Sequence, residues 1–445
     1  MNVKQKIIII VLCLSAFVFL SGCLRINADD LYSLPEVSEE YLRLQAHINI
    51  IISQGAEFAA PVRGPHRQAV QLMDLNGTGS NEVIAFFTMP GESALRIHIF
   101  ELVGDDYVEV DVIEGIGTEI DSVRYIDMDG DGTVELVIGW QMGSTLKYMS
   151  IYSIAGFQSQ MLVSGEEYTE ITTLGTDSGG IDVIALRMPS QDAGSPVATA
   201  FSLMQDGEIV AQEARLSAGI ESINQILTGR LADDVLAIFI ESEGRFENGS
   251  LVTDVLTRVD NVFSNISLHS ATGISDETVR HRMYSSEINN DGIIKIPELR
   301  RLIAQSETEY YAIDWFTYRS NGTRTLALTT YHNNFDEWYL ILPSDWRGLV
   351  SVRRDDTIPG ERTIIFSHYT AQRDSHEDFM KIFKLSGENV EQRASRDNRN
   401  LLMVQGNWAY AFELLAPPDS FGLTFNDTVI KNNFRLMQTD WQTGN

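Results

Sequence analysis

Asp127-Met128-Asp129-Gly130-Asp131-Gly132-Thr133-Val134-Glu135 is the stretch that decides how this chain folds. Apolar runs of strand-like composition lie on both sides of it, at residues 123–126 and 136–140. Carboxylates at positions 1, 3, 5 and 9 of a tight loop between two strands are the ligands that a hard divalent cation such as calcium prefers. A weaker copy of the loop runs from Asp74 to Glu82. The loop therefore belongs to a repeat.

Short strands repeat along the middle of the chain in units of four. The first unit covers residues 68–112, further units start at residues 122, 170 and 223, and a fifth opens at residue 282. Four strands about every 50 residues are typical of a β-propeller, although a pair of β-sandwiches would also contain short alternating strands. We expect a mainly β fold with a propeller of about five to seven four-stranded blades over residues 60–332.

The segments on either side of the repeats differ from them in pattern. Residues 38–56 carry apolar side chains at helical spacing, which predicts one amphipathic helix that packs on the following domain. Residues 333–445 contain several strands and then, at 427–441, apolar residues at helical spacing. We expect these residues to form a separate C-terminal α+β domain closed by a helix.

The first 37 residues have the organisation of an export signal. Lys4 and Lys6 precede an apolar run over residues 7–20, and the run leads into Ser21, Gly22 and Cys23. This ending resembles the lipobox of bacterial lipoproteins, with an ordinary signal peptide or a single membrane anchor as the alternative. The resemblance implies that residues 1–22 are removed, that Cys23 receives acyl chains such as palmitate, and that residues 23–37 form a tether. The protein would then be lipid-anchored to the cell membrane on its extracytoplasmic face, in a Gram-positive bacterium.

The composition narrows the classes of partner and of chemistry. The formal net charge of −29 argues against nucleic acid as a partner, because phosphate binding needs a basic face. The chain has two cysteines, and Cys13 lies inside the predicted signal. With Cys23 acylated, the mature chain would contain neither a disulfide nor a catalytic thiol.

The Asp127 loop resembles the FG-GAP repeats of integrin α-chain propellers and the related VCBS-type repeats of bacterial surface proteins. The resemblance covers roughly residues 66–330. It implies loops that link neighbouring strands of a blade, each binding one structural calcium ion, on a propeller that presents loops to a protein or glycan partner. The first repeat has Thr78 where Asp is expected. The repeats at Thr176 and Thr228 have lost the ligand spacing.

Three loops are candidate calcium sites, although each could instead be a solvated acidic turn. The second loop offers four carboxylates and a carbonyl group: Asp127, Asp129, Asp131, Glu135 and the carbonyl near Thr133. The first loop offers fewer charges, from Asp74, Asn76, Thr78 and Glu82. A weaker candidate resembles an EF-hand or dockerin-type loop as much as a blade loop, and comprises Glu287, Asn289, Asp291 and Glu298. Lys295 occupies its ninth position, and a helix is expected after Glu298.

Known catalytic motifs are absent from the sequence. The eight histidines are scattered without a His-Glu-x-x-His pair, and there is no Gly-x-Ser-x-Gly elbow. We therefore predict a membrane-anchored extracytoplasmic binding or interaction protein. A cell-surface polysaccharide lyase or hydrolase and a structural protein of envelope assembly are the alternatives. A cleft lined by groups with displaced pKa values would favour an enzyme.

Overall fold

The computed structural model describes residues 39–437, apart from 90–94, 155, 157, 189–194, 247–249, 279–282 and 306. The predicted signal peptide (1–22), the tether (23–37) and Cys23 lie outside the described residues, as does the last part of the predicted closing helix. The described residues form a mainly β structure, in which the strands make six antiparallel sheets of four or five strands.

The first four sheets are built from strands that follow one another along the chain. Sheet one contains β1 (Glu57–Phe58), β2 (Val70–Met73), β3 (Glu82–Thr88), β4 (Leu95–Val103) and β5 (Asp106–Glu114). Sheet two contains β6 (Glu119–Ile126), β7 (Glu135–Met142), β8 (Leu146–Ser153) and β9 (Gln160–Glu167). Sheet three contains β10 (Glu170–Gly175), β11 (Ile181–Arg187), β12 (Val197–Leu203) and β13 (Ile209–Arg215). Sheet four contains β14 (Ile220–Arg230), β15 (Leu236–Gly244), β16 (Leu251–Val259), β17 (Val262–Asn265) and the short β18 (Glu277–Thr278).

Sheets five and six are less local in sequence. Sheet five contains β19 (Ile296–Arg301), β20 (Tyr311–Tyr318), β21 (Arg324–Asn333), β22 (Trp338–Leu342) and β28 (Phe434–Leu436). Sheet six contains, in spatial order, β23 (Val350–Asp355), β24 (Glu361–Thr370), β25 (Ser375–Ser386), β27 (Trp408–Leu414) and β26 (Arg399–Gln405). The α-helices are α1 (Glu39–Ser53), α2 (Val390–Ala394) and α3 (Asp427–Asn433), and 3-10 turns occur at Ser344–Trp346 and Ser420–Gly422.

The four predicted four-strand units supply most strands of sheets one to four, to which the unpredicted two-residue strands β1 and β18 add a fifth strand in sheets one and four. Tight turns join neighbouring strands, and Gly104 and Gly143 adopt the left-handed backbone that such turns need, with φ of 67° each. Strands β3, β7, β11 and β15 are buried along most of their length, so both of their faces are covered. Locally wound antiparallel sheets that cover each other's faces are consistent with a propeller-like fold.

The C-terminal part is not divided from the repeats where the sequence suggested. The predicted boundary between residues 332 and 333 falls inside β21, which pairs with β22. Strand β28, from the end of the chain, also joins sheet five, so the predicted closing helix stops at Asn433. Sheets five and six share one hydrophobic core, which includes Trp338, Phe366 and Phe412. The predicted boundary between residues 332 and 333 is therefore wrong, because neither sheet buries its apolar face without the other.

Helix α1 packs on sheet one, as the amphipathic pattern predicted. Leu44, Ile48 and Ile51 are buried and contact the cluster around Val83 of β3. These positions lie at i, i+4 and i+7, so they form one stripe along the helix. Within the described residues, no helix combines the length and the apolarity needed to cross a membrane.

A buried carboxylate of sheet two links the β1–β2 connection of sheet one to sheets two and three. Asp121 of β6 has a side chain that is 1% exposed, and Arg63 donates two hydrogen bonds of 2.9 Å to it. Lys147 Nζ lies 3.0 Å from one of its oxygens, and the Tyr168 hydroxyl donates to the other at 2.7 Å. Arg63 also reaches Glu170 of sheet three at 3.0 Å. Burial works against ionisation, but these donors hold the pKa of Asp121 below its usual value.

Candidate metal centre

The second loop (residues 127–135) connects β6 to β7 and brings its acidic side chains together. Oxygens of Asp127, Asp129 and Asp131 all lie within 4.8 Å of one another. Among the described residues, no other group of three or more Asp, Glu, His or Cys side chains meets this criterion. The clustering that the spacing predicted is therefore present in the structure.

Backbone amides of the second loop hold these carboxylates in place. The amides of Gly130 and Gly132 donate to the two oxygens of Asp127, at 2.7 and 3.0 Å. The Asp131 amide donates to one oxygen of Asp129 at 3.2 Å, and the Thr133 amide donates to one oxygen of Asp131 at 2.7 Å. Within the described residues, these loop hydrogen bonds engage one oxygen of Asp129 and one oxygen of Asp131. Gly130 and Gly132 permit this path because both have positive φ, 80° and 91°.

Glu135 closes the second loop from inside the fold. It is 3% exposed, and its carboxylate accepts a 3.0 Å hydrogen bond from the Met128 amide. Burial raises the pKa of Glu135 to about 7, and the neighbouring carboxylates of Asp129 and Asp131 add to the rise. The buried site and its acidic neighbours therefore make it harder for Glu135 to carry a charge.

The charge of this cluster is not neutralised by any cationic side chain that the structure describes. Within the part of the chain that the structure describes, no Lys, Arg or His forms an ion pair with Asp127, Asp129, Asp131 or Glu135. Like charges at this separation repel one another, and a divalent cation would reverse that repulsion. The donor set consists of carboxylate oxygens, which suits a hard cation such as calcium.

The first loop (residues 74–82) connects β2 to β3 with the same local geometry and less charge. Amides of Thr78 and Gly79 donate to the two oxygens of Asp74, at 3.1 and 2.8 Å. The buried Glu82 accepts from the Leu75 amide at 2.8 Å, as Glu135 does from Met128. Asn76 uses its oxygen to accept a 3.0 Å bond from the Thr78 amide. Two of the four predicted ligands are neutral here, which would weaken cation binding.

The fifth loop (residues 287–295) precedes β19 and differs from the EF-hand prediction. Glu298 does not begin a helix but lies in strand β19. Its carboxylate is 2.6 Å from the guanidinium of Arg324, so it is engaged away from the loop. Lys295 is buried, and its ammonium group is 2.6 Å from Asp291. Burial opposes ionisation of Asp291, but Lys295 and the Ile293 amide hold its pKa below the usual value.

The first three loops stack on one another from sheet to sheet. A Cβ atom on Gly77 would lie 2.6 Å from the carbonyl oxygen of Gly132, so the first and second loops touch. A Cβ atom on Gly130 would lie 3.2 Å from the backbone of Gly179 in the third loop (residues 176–180). Backbone hydrogen bonds reinforce the row: the Val134 amide donates to Leu75, and the Ile181 amide donates to Met128. The loops are therefore joints between consecutive sheets as well as turns within them.

A serine–histidine contact in sheet six was not anticipated from the sequence. Ser351 Oγ lies 2.8 Å from His376 Nδ1 and accepts a 2.6 Å hydrogen bond from the Gln305 side chain. The same hydroxyl donates to the Ser367 carbonyl at 3.3 Å, and Ser351 is fully buried. A nucleophile must reach its substrate, so this pair does not favour the hydrolase alternative.

Comparison with known proteins gives weak likenesses only. No protein-family model and no curated protein matches the chain. A solved protein from Lactobacillus plantarum is similar at 8% identity and a TM-score of 0.26, covering 72% of this chain and 85% of its own. A putative 6-phosphogluconolactonase from Bacteroides uniformis is similar at 12% identity and a TM-score of 0.26, and the match covers 67% of this chain and 80% of that protein. An exotype rhamnogalacturonan lyase is similar at 10% identity and a TM-score of 0.25, and the match covers 72% of this chain and 75% of that protein.

Proposed function

We propose that this chain is a membrane-anchored, extracytoplasmic binding protein whose propeller-like sheets are stabilised by structural calcium. The observation that carries the calcium part of the proposal is the convergence of Asp127, Asp129 and Asp131 beside the buried Glu135, without a cationic partner among the described residues. The lipid anchor and the binding role rest on the lipobox and FG-GAP resemblances. Calcium suits this set because it accepts six to eight oxygen ligands in flexible geometry.

The second loop is the principal site of this proposal. Its ligands would be the side chains of Asp127, Asp129, Asp131 and Glu135 and the carbonyl of Thr133. The first loop would bind more weakly through Asp74, Asn76, Thr78 and Glu82, because fewer carboxylates lower the affinity. When bound, the ion supplies charge neutralisation. The role is structural, because each loop is a joint between neighbouring sheets.

The FG-GAP resemblance extends the proposal to the arrangement of the sheets. Sheets one to five would be blades, with the stacked loops on one side of the propeller. The order of strands within sheets one to four and the repeated position of the loops support this arrangement. A protein or glycan partner would be met by exposed loops of the blades.

The lipid anchor is tested by mass spectrometry of the detergent-extracted protein. We expect the mature chain to begin at Cys23 and to carry two acyl chains, because one chain alone gives only marginal membrane binding. A Cys23→Ala variant should leave the membrane fraction, whereas Cys13→Ala, within the removed signal, should stay anchored. A mature N-terminus at any other residue would contradict the anchor.

Binding and enzymatic activity are separated by one incubation. We expect the extracted protein, with calcium present, to sediment with cell-wall material of the bacterium that produces it and to release no sugar fragments from that material. Retention should disappear with a chelator if the loops shape the binding surface. Release of unsaturated or reducing-end fragments would instead identify a lyase or hydrolase, and would refute the binding role.

A further inference from the structure

The first, second and fifth loops share one backbone conformation. Positions 4 and 6 are left-handed in all three, occupied by Gly77 and Gly79, Gly130 and Gly132, and Asn290 and Gly292. Position 2 is a buried apolar residue in each, namely Leu75, Met128 and Ile288. The amide of position 6 donates to the carboxylate of position 1 in each, at 2.8, 3.0 and 2.6 Å. The fifth loop is therefore built like the acidic loops, although sequence spacing alone also fitted an EF-hand.

Position 9 is where the fifth loop departs from the other two. Glu82 and Glu135 fill this position in the first and second loops, and both are buried. Lys295 fills it in the fifth loop and is 1% exposed. A buried ammonium needs anionic or carbonyl partners, because leaving it unpaired in a low-dielectric interior is very costly.

The partners of Lys295 are the groups that a cation would use. Its ammonium donates to the position 5 carboxylate, Asp291, at 2.6 Å and to the position 7 carbonyl, Ile293, at 3.1 Å. The corresponding groups in the second loop are Asp131 and the carbonyl of Thr133, both of which belong to the proposed calcium ligands. The ammonium thus occupies the interior of a loop whose shape matches the acidic ones.

We infer that the ammonium group of Lys295 is the resident cation of the fifth loop, which therefore keeps its shape without metal. The comparison rests on the proposed calcium role of the second loop. Sequence patterns mark Lys295 as a defect in a metal-binding motif. In the structure its ammonium group takes the place of the metal, so the conformation of the loop that precedes sheet five does not depend on calcium.

Hydrogen–deuterium exchange on the full chain tests the inference without any substitution. We expect amide protection of residues 287–301 to be the same with calcium and with a chelator. Protection of residues 119–142, around the second loop, should fall on chelation. A chelator-induced loss of protection at 287–301 would overturn the inference, because it would mean that metal holds this loop.

Two substitutions sharpen the test. Lys295→Met removes the charge, and we expect exchange at 287–301 to rise about tenfold or more in both conditions, since a hydrogen-bonded charge is lost. Lys295→Glu recreates the acidic position 9, and protection of 287–301 should become calcium-dependent. Lys431→Glu, an exposed lysine with the same charge change, is the matched control and should leave exchange at 287–301 unchanged.

The outcomes separate this inference from the calcium proposal. Wild-type protection of 287–301 in Lys295→Met would overturn the inference, whatever the second loop does. If 119–142 ignores calcium while Lys295→Met opens 287–301, the calcium proposal fails and the role of Lys295 stands.

Discussion

Replacing Asp129 and Asp131 together by Asn should abolish most of the stabilisation that calcium gives this protein. A site filled at a free calcium concentration 1,000 times its Kd contributes about 4 kcal/mol to the free energy of unfolding. For a chain of this size that corresponds to a melting temperature roughly 5 °C higher. Asn keeps the size of Asp and its acceptor oxygen, so the 2.7 Å hydrogen bond from the Thr133 amide can be retained.

When calcium is removed, the order of stability of the double variant and the wild type should reverse. In chelator the wild type keeps four mutually repelling carboxylates, Asp127, Asp129, Asp131 and Glu135, whereas the variant keeps two. The variant should therefore be less stable than the wild type in calcium and at least as stable in chelator. Thermal unfolding followed by circular dichroism in both conditions measures this crossing.

A matched control separates the site from net charge. Asp105→Asn combined with Asp206→Asn makes the same charge change in two exposed turns, and should leave the calcium effect intact. Equal melting temperatures of the wild type in calcium and in chelator would refute structural calcium in the second loop.

Asp121→Ala should be the most destabilising single substitution that we propose. It leaves Arg63 and Lys147 without the carboxylate that both contact. Because the Arg63 side chain is 41% exposed and can be solvated, we expect a loss of about 1.5–3 kcal/mol, the range for hydrogen bonds to charged groups. Urea unfolding measures the change, with Asp105→Ala as an exposed control that should shift stability by less than about 0.5 kcal/mol. A loss below about 1 kcal/mol for Asp121→Ala would show that the network does not hold the sheets together.

The Asp121 network also determines how the stability of the protein changes as the pH falls. The pKa of Asp121 is lower in the folded protein than in the unfolded chain, where Asp titrates at about 3.9. The stabilisation is therefore fully present above about pH 4 and is lost as the pH falls through the lower, folded value. The stability difference between the wild type and Asp121→Ala should accordingly shrink only in strong acid.

The strands of sheets one to four could be predicted because the information is local. Alternating or continuous apolar runs between turn residues mark most of these strands, and most pair with their sequence neighbours. The two-residue strands β1 and β18 are too short to be marked in this way. Strand β28 could not be assigned in this way, because Phe434 pairs with Leu340, far away in sequence. Strand β26 was missed because its apolar residues, 401–404, run together without alternation, so their pattern does not reveal an edge strand.

The candidate site, too, could be predicted from the sequence only where the information is local. Spacing within one loop predicted that Asp127, Asp129 and Asp131 would cluster, because a short loop leaves them few alternatives. The role of Lys295 depends on where its ammonium points, which the sign of the charge does not encode. The Arg63–Asp121 pair joins residues 58 positions apart, and only the packing of the sheets brings them together.

The stacking of the loops has a consequence for how ions would be taken up. Leu75 donates its amide to Glu82, and its carbonyl accepts from the amide of Val134, so this one residue belongs to the frame of both the first and the second loop. Ordering one loop removes part of the entropic cost of ordering the next. Uptake at the two loops would then be cooperative, and by reciprocity each ion would tighten the binding of the other equally. A weak first loop could thereby respond over the concentration range that the stronger second loop sets.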